Sequence, residues 1–425
     1  MPDATSPPVA FEANARRYAA ERGRVYVAIC LDGSADEYID AAIARGLAPN
    51  LMRLSVVGGR YRARSVMPSF TNPNNTSIIT GVPPAIHGIG GNYFIDPATG
   101  KETMMNSAEY LRAPTILARA QAAGLRVGVV TAKDKLRAIL SKGLDFTPSS
   151  HPPAISVSSE RVHESTLANS GIADALTIAG YAAKPEIYSA DASVFVLKLG
   201  AALVRERRVD VLYLSTTDFI QHKYAPHEQG ALDFYAKIDH QIGELDRLAA
   251  VLGITADHGM NAKMLPSGQP NVIYLEPLLR EIDPGVRVIL PITDPYVVHH
   301  AALGSFAVIH VSRPELAHRV REKLIGTPGI TEVYPHAEAC TVFQSPPDRT
   351  GDLVVCSGRD VCVGTSPEKH DLTKLDGLLR SHGGRYEEIV PLIFNKPLSD
   401  HHHRLAQCDP RNFDVFDFVI NGCRS

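Results

Sequence analysis

Four short runs of β-branched and other apolar residues, each followed by polar residues, constrain the fold of this 425-residue chain most strongly. The runs are Val25–Leu31, Arg126–Val130, Asp210–Ser215 and Val251–Thr255. Strands of a parallel sheet that is buried on both faces have this nearly continuous apolar character. Between them lie helical patterns with apolar residues at three- and four-residue spacing, namely Glu37–Arg45, Ala113–Ala123, Ser193–Arg207 and Glu228–Ala250. The alternation predicts an α/β fold with a doubly wound, mainly parallel sheet and helices on both faces.

The alternation ends after Met260, where prolines become frequent: Pro266, Pro270, Pro277, Pro284, Pro291 and Pro295. A strand-like run at Phe306–Val311 then begins a strand, helix, strand, strand pattern, with its helix at Pro314–Ile325. The apolar run Ile389–Phe394 indicates a return to the first unit. We therefore predict a core formed by residues 1–259 and 376–425, interrupted by a smaller α+β cap insertion at 260–375.

The composition excludes several kinds of partner. With a formal net charge of −3 and a pI near 6.6, the chain lacks the basic field that attracts nucleic acids. Neither a secretory signal nor a membrane anchor is visible at its start, and no later segment approaches the roughly 18 apolar residues of a spanning helix. We therefore expect a cytoplasmic protein that binds neither nucleic acid nor membrane.

Six cysteines are scattered without the paired spacing of a zinc site: Cys30, Cys340, Cys356, Cys362, Cys408 and Cys423. Cys30 lies inside the first apolar run, where a thiol is normally buried. The pattern predicts reduced, structural thiols.

Candidate metal ligands follow the predicted strands, where ligands bind in sheets of this kind. They are distributed along the chain as Asp32, Thr71, Asp218, His222, Asp257, His258 and His382. Asp218 and His222 are four residues apart, so one helical turn can present oxygen and nitrogen to one ion. Each of these features has a plain structural alternative. The Asp218 and His222 pair could be an ordinary surface or capping feature, and Asp32 could cap the next helix. Asp257 could belong to an ordinary turn and His382 to a loop.

The run Ser69–Thr76 is rich in hydroxyl and amide residues and precedes a helical segment that ends at Thr80-Gly81. A hydroxyl at a helix start lies beside free backbone N–H groups, which lower the cost of forming an alkoxide. Metal coordination would activate the Thr71 hydroxyl further. The alternative is a helix capped by Ser, Thr or Asn without a catalytic role.

Together these segments resemble the alkaline phosphatase superfamily, in its nucleotide pyrophosphatase/phosphodiesterase-like branch. The branch has a threonine nucleophile followed by T-G-x-x-P-x-x-H-G, which here is Thr80–Gly88, and the order of candidate ligands also matches. The resemblance implies an alkaline phosphatase-like fold and two Zn²⁺ ions. One ion would be held by Asp218, His222 and His382, and the other by Asp32, Asp257 and His258, with Thr71 alongside.

Within the branch, Met67–Asn75, His87–Phe94 and Thr131–Arg137 are similar to enzymes that hydrolyse the phosphorus–carbon bond of phosphonoacetate to acetate and phosphate. This similarity implies that Asn92 donates to a phosphoryl oxygen and that Lys133 and Lys135 meet the substrate carboxylate. The carbon leaving group must depart as an enolate, so cations at that carboxylate stabilise the transition state. In an extended segment the two lysines would share one face, although an irregular loop could also let them converge.

Two other functions stay open. A nucleotide pyrophosphatase or phosphodiesterase would use the same site, but its leaving group needs no enolate stabilisation. A non-catalytic zinc- or phosphonate-binding protein would bind its ligand without releasing phosphate. Zinc suits the mixed imidazole and carboxylate ligands, although manganese or iron could occupy similar ones. The expected partner is a small-molecule phosphonate, and a homodimer is possible.

Overall fold

The computed structural model of the protein describes residues 7–294, 300–375 and 377–424. Its strands, numbered in chain order, are β1 (Val9–Ala13), β2 (Arg16–Ala20), β3 (Tyr26–Cys30), β4 (Arg60–Arg64), β5 (Tyr93–Ile95), β6 (Glu102–Met104), β7 (Val127–Thr131), β8 (Ile155–Ser158), β9 (Val211–Ser215), β10 (Val251–Thr255), β11 (Asn261–Ala262), β12 (Val272–Tyr274), β13 (Arg287–Ile289), β14 (Phe306–His310), β15 (Ile330–Pro335), β16 (Leu353–Ser357), β17 (Cys362–Gly364), β18 (Arg380–Ser381) and β19 (Ile389–Phe394).

The α-helices are α1 (Asp36–Ala44), α2 (Pro49–Val57), α3 (Thr71–Thr80), α4 (Pro84–His87), α5 (Ile116–Ala122), α6 (Asp134–Leu140), α7 (Leu167–Ser170), α8 (Ala175–Ile178), α9 (Ala190–Arg205), α10 (Phe219–Lys223), α11 (Gln229–Arg247), α12 (Leu275–Leu279), α13 (Ala317–Ile325), α14 (His336–Val342), α15 (Asp400–Gln407) and α16 (Val415–Asp417). Within the described ranges, no helix has both the length and the apolar character needed to cross a membrane.

A seven-stranded sheet in the order β4-β19-β10-β3-β9-β7-β8 forms the centre of the protein. The five strands from β10 to β8 pair in parallel, whereas β19 runs antiparallel to both of its neighbours. The four apolar runs of the sequence are β3, β7, β9 and β10 of this sheet. The predicted α/β fold with a mainly parallel sheet is confirmed.

The sheet is buried on both faces, as its apolar strands require. Successive side chains of β3 alternate between two cores, with Val27 and Ile29 in one, and Tyr26, Ala28 and Cys30 in the other. Residues of α1, α2, α9 and α11 complete the first core, and residues of α3, α5, α6 and α16 complete the second. Helices therefore cover both faces.

Two helices differ in length from the predicted ones for local reasons. Helix α5 begins three residues later than predicted, because the Thr115 hydroxyl caps it by accepting from the Ala118 N–H at 3.1 Å. Helix α11 ends three residues earlier than predicted, since Ala249 adopts a left-handed φ of 59° that the helix cannot continue through.

A second sheet, in the antiparallel order β13-β14-β16-β15, lies within residues 260–375. Its core also contains Met67 and Phe70, from the segment just before α3, so the two sheets pack through this segment. The predicted helix at Pro314–Ile325 is present as a 3₁₀ turn followed by α13. The predicted strand, helix, strand, strand order is incomplete, because α14 lies between β15 and β16 and is too short to show a helical period.

His87, in the Thr80–Gly88 pattern, joins α3 to α4 inside the protein. Its Nδ1 accepts from the Ile89 N–H at 3.1 Å, so its protonated Nε2 donates to Ser77 Oγ at 2.8 Å. Burial lowers the pKa of His87 from 6.5 to about 3, which keeps the ring neutral. The histidine of this pattern therefore fixes the helix that begins at Thr71.

The buried neutral ring of His87 should make the protein less stable in acid. The unfolded chain takes up a proton there below pH 6.5, whereas the folded protein resists this uptake down to about pH 3. From this residue alone, the free energy of unfolding should fall by about 1.4 kcal/mol per pH unit as the pH drops below 6.5. The free energy of unfolding, measured with urea from neutral to mildly acid pH, should depend less on pH for His87→Gln than for the wild-type protein. If the free energy of unfolding changed with pH in the same way for both proteins, His87 would not be a buried neutral ring.

Candidate active site

Three neighbouring parallel strands each deliver one carboxylate to the same edge of the central sheet. Asp32 follows β3, Asp257 follows β10 and Asp218 follows β9, and these strands lie side by side. All three carboxylates are buried, with at most 3% of each residue exposed. They converge because the carboxyl ends of parallel strands meet at one edge of a sheet.

Asp218, His222 and His382 form a first group of candidate metal ligands. Asp218 precedes α10, and the helical turn brings His222 Nε2 to 2.9 Å from Asp218 Oδ2. His382 follows β18 and places its Nε2 3.7 Å from the same oxygen. One ligand atom from each residue lies within 4.8 Å of the others, which is close enough for a single ion.

Asp32, Asp218 and His258 form a second such group. His258 Nε2 lies 3.3 Å from Asp32 Oδ1 and 4.0 Å from Asp218 Oδ2. Asp257, which the resemblance assigns to the second ion, places Oδ2 3.7 Å from the same nitrogen. Its Oδ1 accepts from the backbone N–H groups of Gly33 and His258, each at 3.1 Å. The two groups share Asp218 and therefore adjoin each other.

Thr71 is the first residue of α3, and its Oγ1 lies 3.4 Å from His258 Nε2. Phe70 occupies the N-cap position, and no side chain caps the helix. The interpretation of this segment as a helix capped by Ser, Thr or Asn is therefore wrong. Asp32 likewise does not cap α1, whose N-cap residue is Ala35. The Thr71 hydroxyl instead lies at a helix N-terminus beside the second ligand group.

The three candidate histidines share one hydrogen-bonding arrangement, in which Nδ1–H donates to a backbone carbonyl. The pairs are His222 with Arg380 at 2.7 Å, His258 with Gly259 at 2.9 Å and His382 with Ser69 at 2.8 Å. These bonds fix the ring orientation and direct Nε2 towards the carboxylates, as in histidines that bind metals.

Asp32 shows the excess of negative charge in the site most clearly. Burial, together with the carboxylates of Asp218 and Asp257, raises the pKa of Asp32 well above its usual range. Neither Asp32 oxygen has a hydrogen-bond partner among the described residues, so the 3.3 Å approach of His258 is an ion-pair contact. Burial alone would lower the pKa of His258, but Asp257 and Asp32 raise it to about 10. Partnerless buried oxygens beside imidazole nitrogens fit a divalent cation such as zinc.

Asp218 and His382 have the protonation states that metal binding requires. Burial alone would raise the pKa of Asp218, yet Lys133 and His222 hold it well below its usual range. The Lys133 Nζ lies 3.4 Å from Asp218 Oδ1. Burial and the neighbouring His258 and His222 lower the pKa of His382 well below its usual range. An ionised carboxylate and a neutral imidazole are the forms that coordinate a metal.

Asn75 is fully buried and uses all four hydrogen-bonding positions of its amide. Its Nδ2 donates to Asp257 Oδ2 at 3.1 Å and to the Thr71 carbonyl at 3.0 Å. Its Oδ1 accepts from the hydroxyls of Tyr213 and Ser215, each at 2.7 Å. Asn75 therefore ties the helix of Thr71 to a candidate ligand and to β9.

The two lysines after β7 line a pocket of about 380 Å³ together with members of the first ligand group. Lys133 occupies the N-cap position of α6, and Lys135 belongs to the first turn of that helix. Of the two alternatives, the extended segment is excluded, because α6 begins almost directly after β7 and the lysines do not share a strand face. Lys135 Nζ lies 3.1 Å from Asp294 Oδ1, a carboxylate that no sequence motif indicates.

Asn92 and Thr71 line the same pocket, as do Glu160 and Tyr188, which no motif marks either. Asn92 Oδ1 is buried without a partner among the residues that the structure describes. All the residues predicted for the site thus lie around one pocket and the ligand groups beside it.

Two glycines allow the ligand loops to approach their neighbours. Gly33 has a φ of 71°, and a Cβ added there would lie 2.8 Å from the Asp218 Cβ. Gly383 has a φ of 114°, and a Cβ there would lie 2.3 Å from Phe70 Cε1. A larger residue at either position would therefore displace Asp218 or the loop of His382.

Comparison with known families identifies the class of protein. The family model described as type I phosphodiesterase / nucleotide pyrophosphatase matches residues 26–385. The chain therefore belongs to this family, within the alkaline phosphatase-like superfamily. An uncharacterized pyrophosphatase/phosphodiesterase of Schizosaccharomyces pombe is 38% identical over 92 residues, which are 21% of this chain and 18% of that protein's own length.

Two crystal structures of phosphonoacetate hydrolase from Sinorhizobium meliloti 1021, in complex with phosphonoformate and with phosphonoacetate, are similar over the whole chain. Each is 47% identical, covers 98% of this chain and 99% of the other, and superposes with a TM-score of 0.89. Human ectonucleotide pyrophosphatase / phosphodiesterase 5 shares the fold, at 17% identity and a TM-score of 0.60, over 94% of this chain and 100% of its own.

Replacing Asn75 should destabilise the protein far more than replacing a neighbouring asparagine. Asn75→Leu leaves the hydroxyls of Tyr213 and Ser215 without their acceptor, so the free energy of unfolding should fall by roughly 3 kcal/mol or more. The matched control is Asn72→Leu, because Asn72 lies on the same helix and, among the residues that the structure describes, its side chain donates to the Met105 carbonyl alone, at 3.2 Å. Denaturant unfolding of both variants measures this difference. Equal losses in the free energy of unfolding would contradict the stabilising role of the Asn75 hydrogen bonds.

Proposed function

We propose that the protein hydrolyses the phosphorus–carbon bond of phosphonoacetate, giving acetate and phosphate, with two zinc ions and Thr71 as nucleophile. The observation that carries the proposal is the convergence of Thr71, Lys133 and Lys135 with two metal-ligand groups around one pocket. The 47% identity to a phosphonoacetate hydrolase over 98% of the chain supports the same assignment.

The proposed ligands of one ion are Asp218, His222 and His382, and those of the other are Asp32, Asp257 and His258, beside Thr71. Bound zinc would supply Lewis acidity for the phosphonyl oxygens, lower the pKa of the Thr71 hydroxyl and activate water. Two observations support such ions. Neither oxygen of Asp32 has a hydrogen-bond partner among the described residues, and the Nε2 atoms of His258 and His222 are directed at carboxylates.

The chemistry of Thr71 follows from its place at a helix start. After its hydroxyl proton is lost to solvent, Oγ1 attacks phosphorus, and the positive end of α3 stabilises the alkoxide. The new O–P bond forms as the P–C bond breaks, and the electron pair passes to the carbon, which departs as the enolate of acetate. Water protonates the enolate, and a second water then hydrolyses the phospho-threonine, releasing phosphate and restoring Thr71.

The lysines and Asn92 act on the two ends of the substrate. The enolate places negative charge on the carboxylate oxygens, where the ammonium groups of Lys133 and Lys135 stabilise it more than they stabilise the ground state. Asn92 lines the same pocket. Its amide N–H would donate to a phosphonyl oxygen. A leaving group that departs as an alkoxide needs no such lysine pair.

The division of the chain into a core and a cap at residues 260–375 belongs to the same proposal. The antiparallel sheet of this segment has its own apolar core. Ile292 and Asp294 from the segment line the pocket beside the core residues Lys135 and Thr71. The cap therefore completes the wall of the pocket that receives the substrate.

The direct test is phosphate release by purified, zinc-reconstituted protein from phosphonoacetate, phosphonoacetaldehyde and a nucleotide diester, assayed side by side. The proposal predicts the highest kcat/KM with phosphonoacetate. A preference for the diester would favour the nucleotide phosphodiesterase activity named by the family and overturn the phosphonate assignment. Tight binding without phosphate release would indicate a non-catalytic phosphonate-binding protein.

Lysine substitutions should separate the two reactions. Lys133→Met and Lys135→Met should each lower kcat on phosphonoacetate by about 100-fold or more, as expected for groups that stabilise developing charge. Lys135→Met should largely retain hydrolysis of an activated aryl phosphate ester, whose leaving group is already stable. Lys133→Met also removes the ammonium group 3.4 Å from Asp218 Oδ1, so it should slow this reaction too, but less than phosphonoacetate hydrolysis. Lys198→Met, on α9 over the Tyr181 ring, is the control and should affect neither reaction. Equal losses on both substrates would instead indicate a general structural role for the pair.

A further inference from the structure

Lys263 and Glu387 form an ion pair in which both side chains are fully buried, with 0% of each exposed. Lys263 Nζ donates to Glu387 Oε1 at 2.9 Å and to the Arg359 carbonyl at 2.7 Å. Asn261 Nδ2 donates to the same Glu387 oxygen at 2.6 Å. Neither charged residue lines the pocket, so the catalytic scheme gives no reason for a buried pair here.

The contacts of Glu387 reach both histidine loops of the active site. Its Oε2 accepts from the Gly384 N–H at 3.0 Å, two residues after His382. Its backbone carbonyl accepts from the Gly259 N–H at 2.8 Å, directly after His258. One residue therefore connects a loop that carries a ligand of the first group to a loop that carries a ligand of the second.

Lys263 holds the same region from the other side. Its backbone N–H donates to the Leu379 carbonyl at 2.8 Å, next to the pairing of β11 with β18. Strand β18 leads directly to His382. The rings of His258 and His382 stack in parallel with centroids 3.5 Å apart, so a small shift of either loop changes the position of both Nε2 atoms.

Burying an ion pair costs desolvation free energy, and a well-packed apolar pair is often as stable or more stable. Stability alone therefore does not account for Lys263 and Glu387. Residues outside the ligand set that orient metal ligands typically change metal affinity by about 10- to 100-fold when they are replaced. The contacts of Glu387 with both histidine loops place this pair in such a role.

We propose that the Lys263–Glu387 pair is a positioning device that holds the loops of His258 and His382 at the separation needed to bind metal. This inference rests on the proposed function, because it assumes that the site binds metal ions. Its distinguishing consequence is a loss of metal affinity that exceeds the loss caused by breaking a comparable ion pair elsewhere.

The control is Glu276, a buried carboxylate that is 7% exposed and lies away from the pocket. It pairs with Lys369 at 3.0 Å and Arg280 at 2.8 Å, two cations that are more exposed than Lys263. Glu387→Gln, Lys263→Met, the double variant and Glu276→Gln are prepared in the full chain and stripped of metal. Zinc affinity is then measured by competition with a chromophoric chelator, and thermal unfolding of each metal-free protein is recorded in parallel.

We expect Glu387→Gln and Lys263→Met each to bind zinc at least 10-fold more weakly than the wild-type protein, and Glu276→Gln to bind within twofold of it. The double variant should lose less affinity than the product of the two single losses, because it removes both buried charges together. Two results would overturn the inference but not the proposed function. One is that Glu387→Gln binds zinc as tightly as the wild-type protein does, and the other is that the losses of zinc affinity among the variants merely follow their unfolding temperatures. A wild-type protein that binds no zinc would overturn the proposed function and the inference together.

Discussion

The crowding of three buried carboxylates at adjoining strand ends is the constraint on which the rest of this structure depends. Asp32, Asp218 and Asp257 are almost wholly shielded from water. An isolated buried carboxylate is so costly that it normally becomes neutral or acquires a positive partner. Lys133 and His258 supply part of that compensation, yet neither oxygen of Asp32 has a hydrogen-bond partner among the described residues, and the pKa of Asp32 is raised. Divalent cations at this edge would supply the remaining positive charge, and metal binding would then stabilise the site.

The fold meets this constraint by making each ligand loop depend on its neighbours. Parallel pairing of β9, β3 and β10 brings the carboxylates together, while Asn75 joins one of them to the helix that begins at Thr71. Ser69, two residues before Thr71, accepts from His382 and donates through its hydroxyl to the Gly384 carbonyl at 2.9 Å. Hydrogen bonds from the segment Ser69–Asn75 therefore hold two of the proposed ligands, Asp257 and His382, beside Thr71. Such fixed relative positions are what the proposed in-line attack on phosphorus would require.

The strands could be predicted from the sequence, as could the approach of Asp218 and His222 across one helical turn. Both follow from periodicities of a few residues. The network behind the site could not be predicted in this way. Asn75, on α3, meets partners on the distant strand β9, and Glu387 meets a lysine more than 120 residues earlier, so no local pattern records either contact. Two further features depend on how α6 and the 260–375 segment pack against the sheet. Lys133 lies at the start of a helix, and Asp294 approaches Lys135. Local sequence thus predicts which residues lie at the sheet edge, whereas tertiary packing decides how they are oriented.

The most direct test of the account is anomalous diffraction at the zinc edge from crystals of the zinc-loaded protein. We expect two zinc peaks roughly 4 Å apart, as in other two-metal sites. One peak should lie among Asp218, His222 and His382, and the other among Asp32, Asp257 and His258 beside Thr71. A single peak, or two peaks remote from the Thr71 hydroxyl, would contradict the two-metal site on which the proposed chemistry depends.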